Sequence, residues 1–224
     1  MSDDTSDDLH SERVTDELAK GEDGVTRCFF NADNPNFRAY HDDEFGRPTD
    51  DDRRIFEKIC LESFASGLSI VSVLSMRDAL RDAFDSFQID KVADYDGNRV
   101  RSLMANDAII QNKAKIESVV NNAKRAMELI AEYGSLAAFL WSFEPDATER
   151  PPEITTEFLS KNARSEGSAR MAKALKDRGW TYVGPTTCYA LMQACGVVND
   201  HFEGCDMREP CLKEREAFDV PART

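Results

Sequence analysis

ALKDRGWTYVGPTTCYALMQACG, residues 174–196, decides the fold. The segment SARMAKALKDRG, from Ser168, is helical in pattern and stops at Gly179, since glycine readily takes the left-handed conformation that ends a helix. WTYVG then turns as a short hairpin. Pro185 opens a second helix at its first position, and Gly196 closes it. Residues 168–196 therefore read as helix, glycine-ended hairpin, helix. Gly184 and the first N–H groups of the second helix, at Thr186 onward, sit at the bend, with Arg170, Lys173, Lys176, Arg178 and Gly179 leading into it. Free N–H groups at a helix start cradle phosphate without reading base sequence, which suits DNA. An ordinary helix pair with a solvated basic face fits the same pattern no worse.

Outward from this unit the chain stays helical. Ile116, Val119, Val120, Ala123, Met127 and Ile130 recur at the spacing of one helix face. YGSLAAFLWSF reads as a helix entered through Gly134 and Ser135, and the proline-rich 144–169 as a surface excursion. No alternating strand run of useful length appears, so the fold class expected is all-α. The first 26 residues hold nine acidic and two basic side chains, half of the net charge of −14, and read as an acidic disordered extension. No run approaches a membrane span and the acidic opening lacks the features of a signal peptide, so a cytoplasmic protein is expected. The net charge itself argues against a nucleic-acid partner, but with half of it in the extension the remainder can keep a basic face. Six scattered cysteines fit reduced thiols better than a disulfide framework, with Cys60, Cys188 and Cys195 expected in the core.

Two constellations could carry chemistry. Glu62 lies seven residues beyond Ile55, within about 20° of it on a helix, with Ile59 on the same face. A carboxylate on an apolar stripe is either a salt-bridge member or a functional group, because burying it unpaired costs several kcal/mol. Gly67, just beyond, allows close backbone approach or merely ends the helix. The second constellation joins Cys28 and His41 to His201 and Cys205. Two thiolates and two imidazoles suit a closed, structural zinc site, while the spacing fits two unrelated pairs equally well.

Taken in order, RCFFNADNPNFRAYHDDEFGRP, IFEKICLESFASGLSIVSVL, IIQNKAKIESVVNNAK, FLWSF and ALKDRGWTYVGPTTCYALMQACGVVNDH resemble the bacterial 3-methyladenine DNA glycosylase I family, of the helix-hairpin-helix glycosylases. The resemblance runs from about Arg27 to Cys205, making 27–205 the glycosylase domain and 206–224 a tail. It implies hydrolysis of the N-glycosidic bond of a cationic alkylated adenine flipped out of damaged double-stranded DNA, by a monomer that bears structural zinc on Cys28, His41, His201 and Cys205. Glu62 falls on the pocket carboxylate, Tyr40 on a pocket aromatic, and Gly67 and Leu68 beside the gap left by the base. Lys176, Arg178, Gly179, Gly184 and Thr186 fall on the DNA-contacting hairpin.

The pocket departs from the pattern. Phe30, Phe45 and Ile70 stand where tryptophan is expected, and Phe37 where tyrosine is. Isoleucine removes an aromatic face for a cationic base, and phenylalanine removes a hydroxyl. The alternatives are therefore a DNA-binding relative of altered specificity or no activity, and, on the net charge alone, a zinc-stabilised helical interaction protein.

Overall fold

The computed structural model describes residues 11–30 and 32–223. Three short strands lead: β1 (Ser11–Arg13), β2 (Leu18–Gly21) and β3 (Thr26–Cys28). Helices follow as α1 (Pro35–Asp43), α2 (Asp52–Ala65), α3 (Ile70–Leu74), α4 (Arg77–Ala83), α5 (Ile89–Ala93), α6 (Gly97–Met104), α7 (Lys113–Tyr133), α8 (Leu136–Trp141), α9 (Thr156–Lys161), α10 (Glu166–Asp177), α11 (Pro185–Ala194) and α12 (Arg208–Glu216).

The helical body agrees with the periodicity. α7 is capped by the Asn112 side chain and stopped at Gly134, whose φ is +87°. It runs through the centre against α2, α5, α6 and α8. Ile116, Val119, Val120 and Ala123 are buried as expected, but the stripe continues through Ala126 and Leu129, leaving Met127 exposed. The cause is that the buried arc of α7 is broad and centred to one side of Ile116, taking in Lys115, Ser118 and Asn122 as well, so that Met127, about 20° beyond Ile116 on the other side, falls near its edge. Phe56, Phe64, Phe84, Phe87 and Phe139 are fully buried, each contributing about 1.5–3 kcal/mol by removal from water.

The helix-hairpin-helix unit forms where expected. Ser165 and Ser168 close a reciprocal capping box at the start of α10, and Gly179, at φ +80°, ends the turn that follows it. Trp180 and Val183 anchor the hairpin in the core. The second left-handed residue is Tyr182, at φ +56°, rather than Gly184, which is extended.

The expectation of a disordered extension fails where it can be examined. Residues 1–10 lie outside the described residues, but residues 11–28 form an antiparallel sheet in the order β1-β2-β3, pairing Glu12 with Lys20 and Leu18 with Cys28. Strands of three or four residues, each carrying a charged side chain, give almost no hydrophobic signal, which is why they read as a solvated arm. The sheet is held by burial on one side: Leu18 packs in a satellite cluster with Cys28, Ile154, Phe202 and Cys205. The segment after Cys205 is likewise ordered, carrying α12 and packing Phe218 on Trp141. Cys211, outside the expected core set, is buried along with Cys60, Cys188 and Cys195.

Gly196, at φ +70°, ends α11 against the backbone of Arg47 and Pro48, which a Cβ there would overlap. Gly196→Ala therefore combines left-handed strain with a clash against main chain that cannot swing aside. Loss of at least about 2 kcal/mol of stability is expected in urea unfolding, against little change for Gly184→Ala, where a Cβ meets nothing.

Candidate functional site

Glu62 projects from the inner end of α2 beyond the buried Ile55 and Ile59. It is half-buried, and no hydrogen bond or ion pair reaches its carboxylate among the described residues. Burial raises its pKa to about 7, against the pull of Lys58 one turn before it. Tyr40, on α1, is buried close enough for the Glu62 charge to add to the upward shift that burial imposes on its hydroxyl. The expected pocket aromatics form one chain: Phe30 to Phe37 at 5.9 Å, Phe37 to Tyr40 at 5.8 Å, Tyr40 to Phe45 at 6.3 Å. Phe30 is half-buried and the other three are buried. Phe45 also packs edge-on against the His201 ring at 5.0 Å, so it forms a wall between Tyr40 and the His/Cys cluster. Ile70 begins α3, half-buried; Gly67, at φ +79°, precedes Leu68, which is 50% exposed.

Behind this wall lies an ionic network that sequence reasoning missed. The buried Lys58 donates to Glu44 at 2.6 Å and lies 5.5 Å from the Tyr40 ring centre. Arg77 bonds both Glu44 and the buried Glu57, and Arg81 adds a second bond to Glu57 at 2.7 Å. Burial alone would raise the Glu44 carboxyl, yet Arg77 and Lys58 hold it down at about 2. The partners come from α1, α2 and α4, so no local charge spacing announces them.

Cys28, His41, His201 and Cys205 come together as one buried cluster, with their donor atoms all within 4.8 Å of one another. The separations are 3.1 Å between the two imidazole nitrogens and 3.5–3.7 Å between sulfur and nitrogen. A tetrahedral ion at ordinary zinc–nitrogen and zinc–sulfur lengths would set these at about 3.3 and about 3.6 Å. Each ring turns its other nitrogen to an acceptor: His41 Nδ1 to Asp42 at 2.8 Å, His201 Nε2 to the Phe45 carbonyl at 3.0 Å. Those bonds fix the tautomers that leave His41 Nε2 and His201 Nδ1 free as donors to an ion. Arg27, buried, pins Asp42 with bonds of 2.7–2.9 Å, and with His41 holds its carboxyl down at about 2 although burial alone would raise it. The loop bearing His201 is anchored next door by the buried Asp200, which accepts from Tyr189 at 2.8 Å and Gln193 at 2.7 Å. The four residues fit a metal.

The hairpin residues divide. Lys176, Gly179 and Thr186 are exposed, and Gly184 faces open space. Gly184 provides no side-chain cap for α11, so the first N–H groups of that helix are free for an anion. Arg178, by contrast, is tied to Glu132 at 3.2 Å and lies over the Tyr133 and Phe139 rings. No helix among the described residues is long and apolar enough to cross a membrane.

Residues 30–209 match the family model described as methyladenine glycosylase. The chain is 38% identical over 192 residues to a DNA-3-methyladenine glycosylase of Haemophilus influenzae, covering 84% of this chain and 98% of that one. It is 37% identical over 183 residues to DNA-3-methyladenine glycosylase 1 of Escherichia coli, covering 81% and 96%. Among solved structures, a crystal structure of a 3-methyladenine DNA glycosylase I superposes with a TM-score of 0.73 at 39% identity, covering 80% of this chain and 98% of the other. The Staphylococcus aureus enzyme, solved for its recognition of 3-methyladenine, gives 0.73 at 29% identity, covering 81% and 96%. With the matched region spanning the aromatic chain, Glu62, the hairpin and three of the four cluster residues, the chain belongs to the methyladenine glycosylase family.

Proposed function

We propose that this protein is a monofunctional base-excision-repair glycosylase that hydrolyses the N-glycosidic bond of 3-methyladenine, or a related alkylated purine, in damaged double-stranded DNA. The observation that carries the reading is Glu62: a half-buried carboxylate with no bonded partner among the described residues, beside an aromatic wall, in a family whose relatives are named for this base. A base extruded from the duplex and carrying positive charge supplies the missing partner. The alkylated base is already a good leaving group, so the protein's task is to hold it and to favour the positive charge that builds on the sugar as the bond breaks. Phe30, Phe37 and Tyr40 supply ring faces and edges, Phe45 backs them, and Ile70 offers only apolar contact. Lys58, the lysine nearest Glu62 in sequence on α2, is buried and bonded to Glu44, which suits hydrolysis by water rather than an amine nucleophile.

Backbone anchoring is assigned to Gly179, Gly184, Thr186 and the start of α11, with Lys176 the freer side-chain cation and Arg178 steadying the hairpin through Glu132. Leu68, exposed after Gly67, is assigned to fill the gap in the stack. The Cys28, His41, His201 and Cys205 cluster is assigned to structural zinc, since all four positions are taken by protein donors. Bound there, zinc would neutralise two thiolates and join the segment of Cys28 and His41 to that of His201 and Cys205. A cytoplasmic monomer fits these assignments.

Three outcomes are expected. Glu62→Gln should slow release of 3-methyladenine from methylated duplex DNA by about 100-fold or more while leaving thermal unfolding nearly unchanged; release at the parental rate, or none from the parent, would overturn the reading. With its pKa raised to about 7, Glu62 is mostly protonated below that value in the free protein. Affinity for a duplex carrying the cationic base should therefore rise with pH up to about 7 and then level, a dependence that Glu62→Gln abolishes when binding of the lesion duplex is titrated against that of the undamaged one. Purified protein should hold one zinc per chain by elemental analysis, and Cys205→Ser should lower the unfolding midpoint and the zinc content together.

A further inference from the structure

α7 carries polar side chains that the proposed reaction does not use. Lys115 is buried, and no carboxylate lies within ion-pair range among the described residues. Its Nζ donates instead to the carbonyls of Phe64 at 2.6 Å and Ser66 at 2.7 Å, at the end of α2. Desolvation pulls its pKa below the usual lysine range. A cation is thus held out of water to grip the backbone immediately before Gly67 and Leu68, with the negative end of α2 as its compensation. Seven residues on, and so about 20° away around α7, the buried Asn122 exchanges two hydrogen bonds with the hairpin peptide of Thr181, at 2.9 and 3.0 Å. Its neighbour Asn121 donates to the Gly179 carbonyl at 2.9 Å. Ser63 Oγ, 3.2 Å from the Tyr182 carbonyl, closes the circuit between α2 and the hairpin.

One helix face therefore sets the distance between the loop bearing Leu68 and the hairpin bearing the phosphate-facing amides. We propose that Lys115 and Asn122 are positioning residues for base flipping, holding the wedge and the anchor in one register so that inserting the first strains the backbone gripped by the second. This rests on the glycosylase reading above. Neither side chain bonds Glu62 or the aromatic wall, so the base site itself does not depend on them.

The test compares single-turnover release of 3-methyladenine from a duplex with the lesion paired and from the same duplex with the lesion in a one-nucleotide bulge, alongside binding of the free base. Lys115→Met and Asn122→Ala should lose about 100-fold on the paired lesion, the scale of a misplacement near 1 Å. On the bulge, where the base is already unstacked, they should lose less than about tenfold. Free-base affinity should be unchanged, and Lys115→Arg should recover most of the paired activity. Equal losses on both substrates, or weakened free-base binding, would show a merely structural role and overturn the proposal. If Lys115→Met fails to fold by thermal melting, Asn121→Ala, which removes one half-buried bond to the hairpin, must still slow the paired substrate more than the bulged one. Absence of that bias also overturns the proposal. A parent protein inactive on both substrates would instead bring down the glycosylase reading on which it rests.

Discussion

A half-buried carboxylate that no protein group bonds is destabilising, and the surroundings of Glu62 are arranged to keep it in that state. Lys58, one helical turn before it, is the obvious counter-ion, but Glu44 holds that ammonium at 2.6 Å. Glu44 is shared with Arg77, and Arg77 and Arg81 converge on Glu57. Glu44 and Glu57 thus take up three cations between them, while Glu62 has no bonded partner among the described residues and burial raises its pKa to about 7. A binding site for a cation is defined as much by these captured neighbours as by the carboxylate. Breaking the network would release Lys58 or Arg77 to pair with Glu62 and occupy the position proposed for the charged base.

The same economy of position links the metal cluster to the pocket. α1 carries Phe37 and Tyr40 toward the pocket and His41 toward the cluster, on adjacent turns of nine residues. Phe45 then separates the two, touching Tyr40 on one side and both imidazoles on the other. An ion held by His41 and His201 would therefore also fix Phe45 at the back of the aromatic wall. The sheet of residues 11–28, all of it before the matched region, adds to the same construction: Leu18 closes over Cys28 and Cys205, and the backbone of Thr26 exchanges hydrogen bonds with Asp206. Segments about 180 residues apart in sequence are thus tied together beside Phe45.

What the sequence discloses follows from the range of the interaction. Helices, caps and the hairpin were legible because their signals are local: Pro185 at the first position of α11, Ser135 before α8, Gly179 after α10. Glu62 was visible as a charge on an apolar face, and the four cluster residues as paired spacings whose union required a resemblance. The Glu44–Lys58–Arg77–Glu57 network was not, since its members meet only after α1, α2 and α4 have packed. Nor were β1 to β3, too short and too charged to alternate convincingly. Tyr182 shows a finer limit, because nothing in the sequence marks the left-handed backbone that this aromatic residue adopts, its carbonyl held by Ser63.

A net charge of −14 need not conflict with a polyanionic partner once the source of positive potential is considered. Many of the acids at the surface are already paired: Arg178 and Arg223 share Glu132, Arg215 bonds Glu144, Arg47 bonds Glu214, and Lys173 bonds Asp177. These pairs leave few side-chain cations for phosphate. What remains at the hairpin is backbone: the uncapped start of α11, the open space at Gly184, and the exposed turn around Gly179. Peptide N–H groups and a helix dipole carry no formal charge, so they attract phosphate without entering the composition and without displacing many counter-ions. An acidic protein can hold DNA in this way provided the amides are rigidly aimed, and that rigidity is what Asn121 and Asn122 supply from α7.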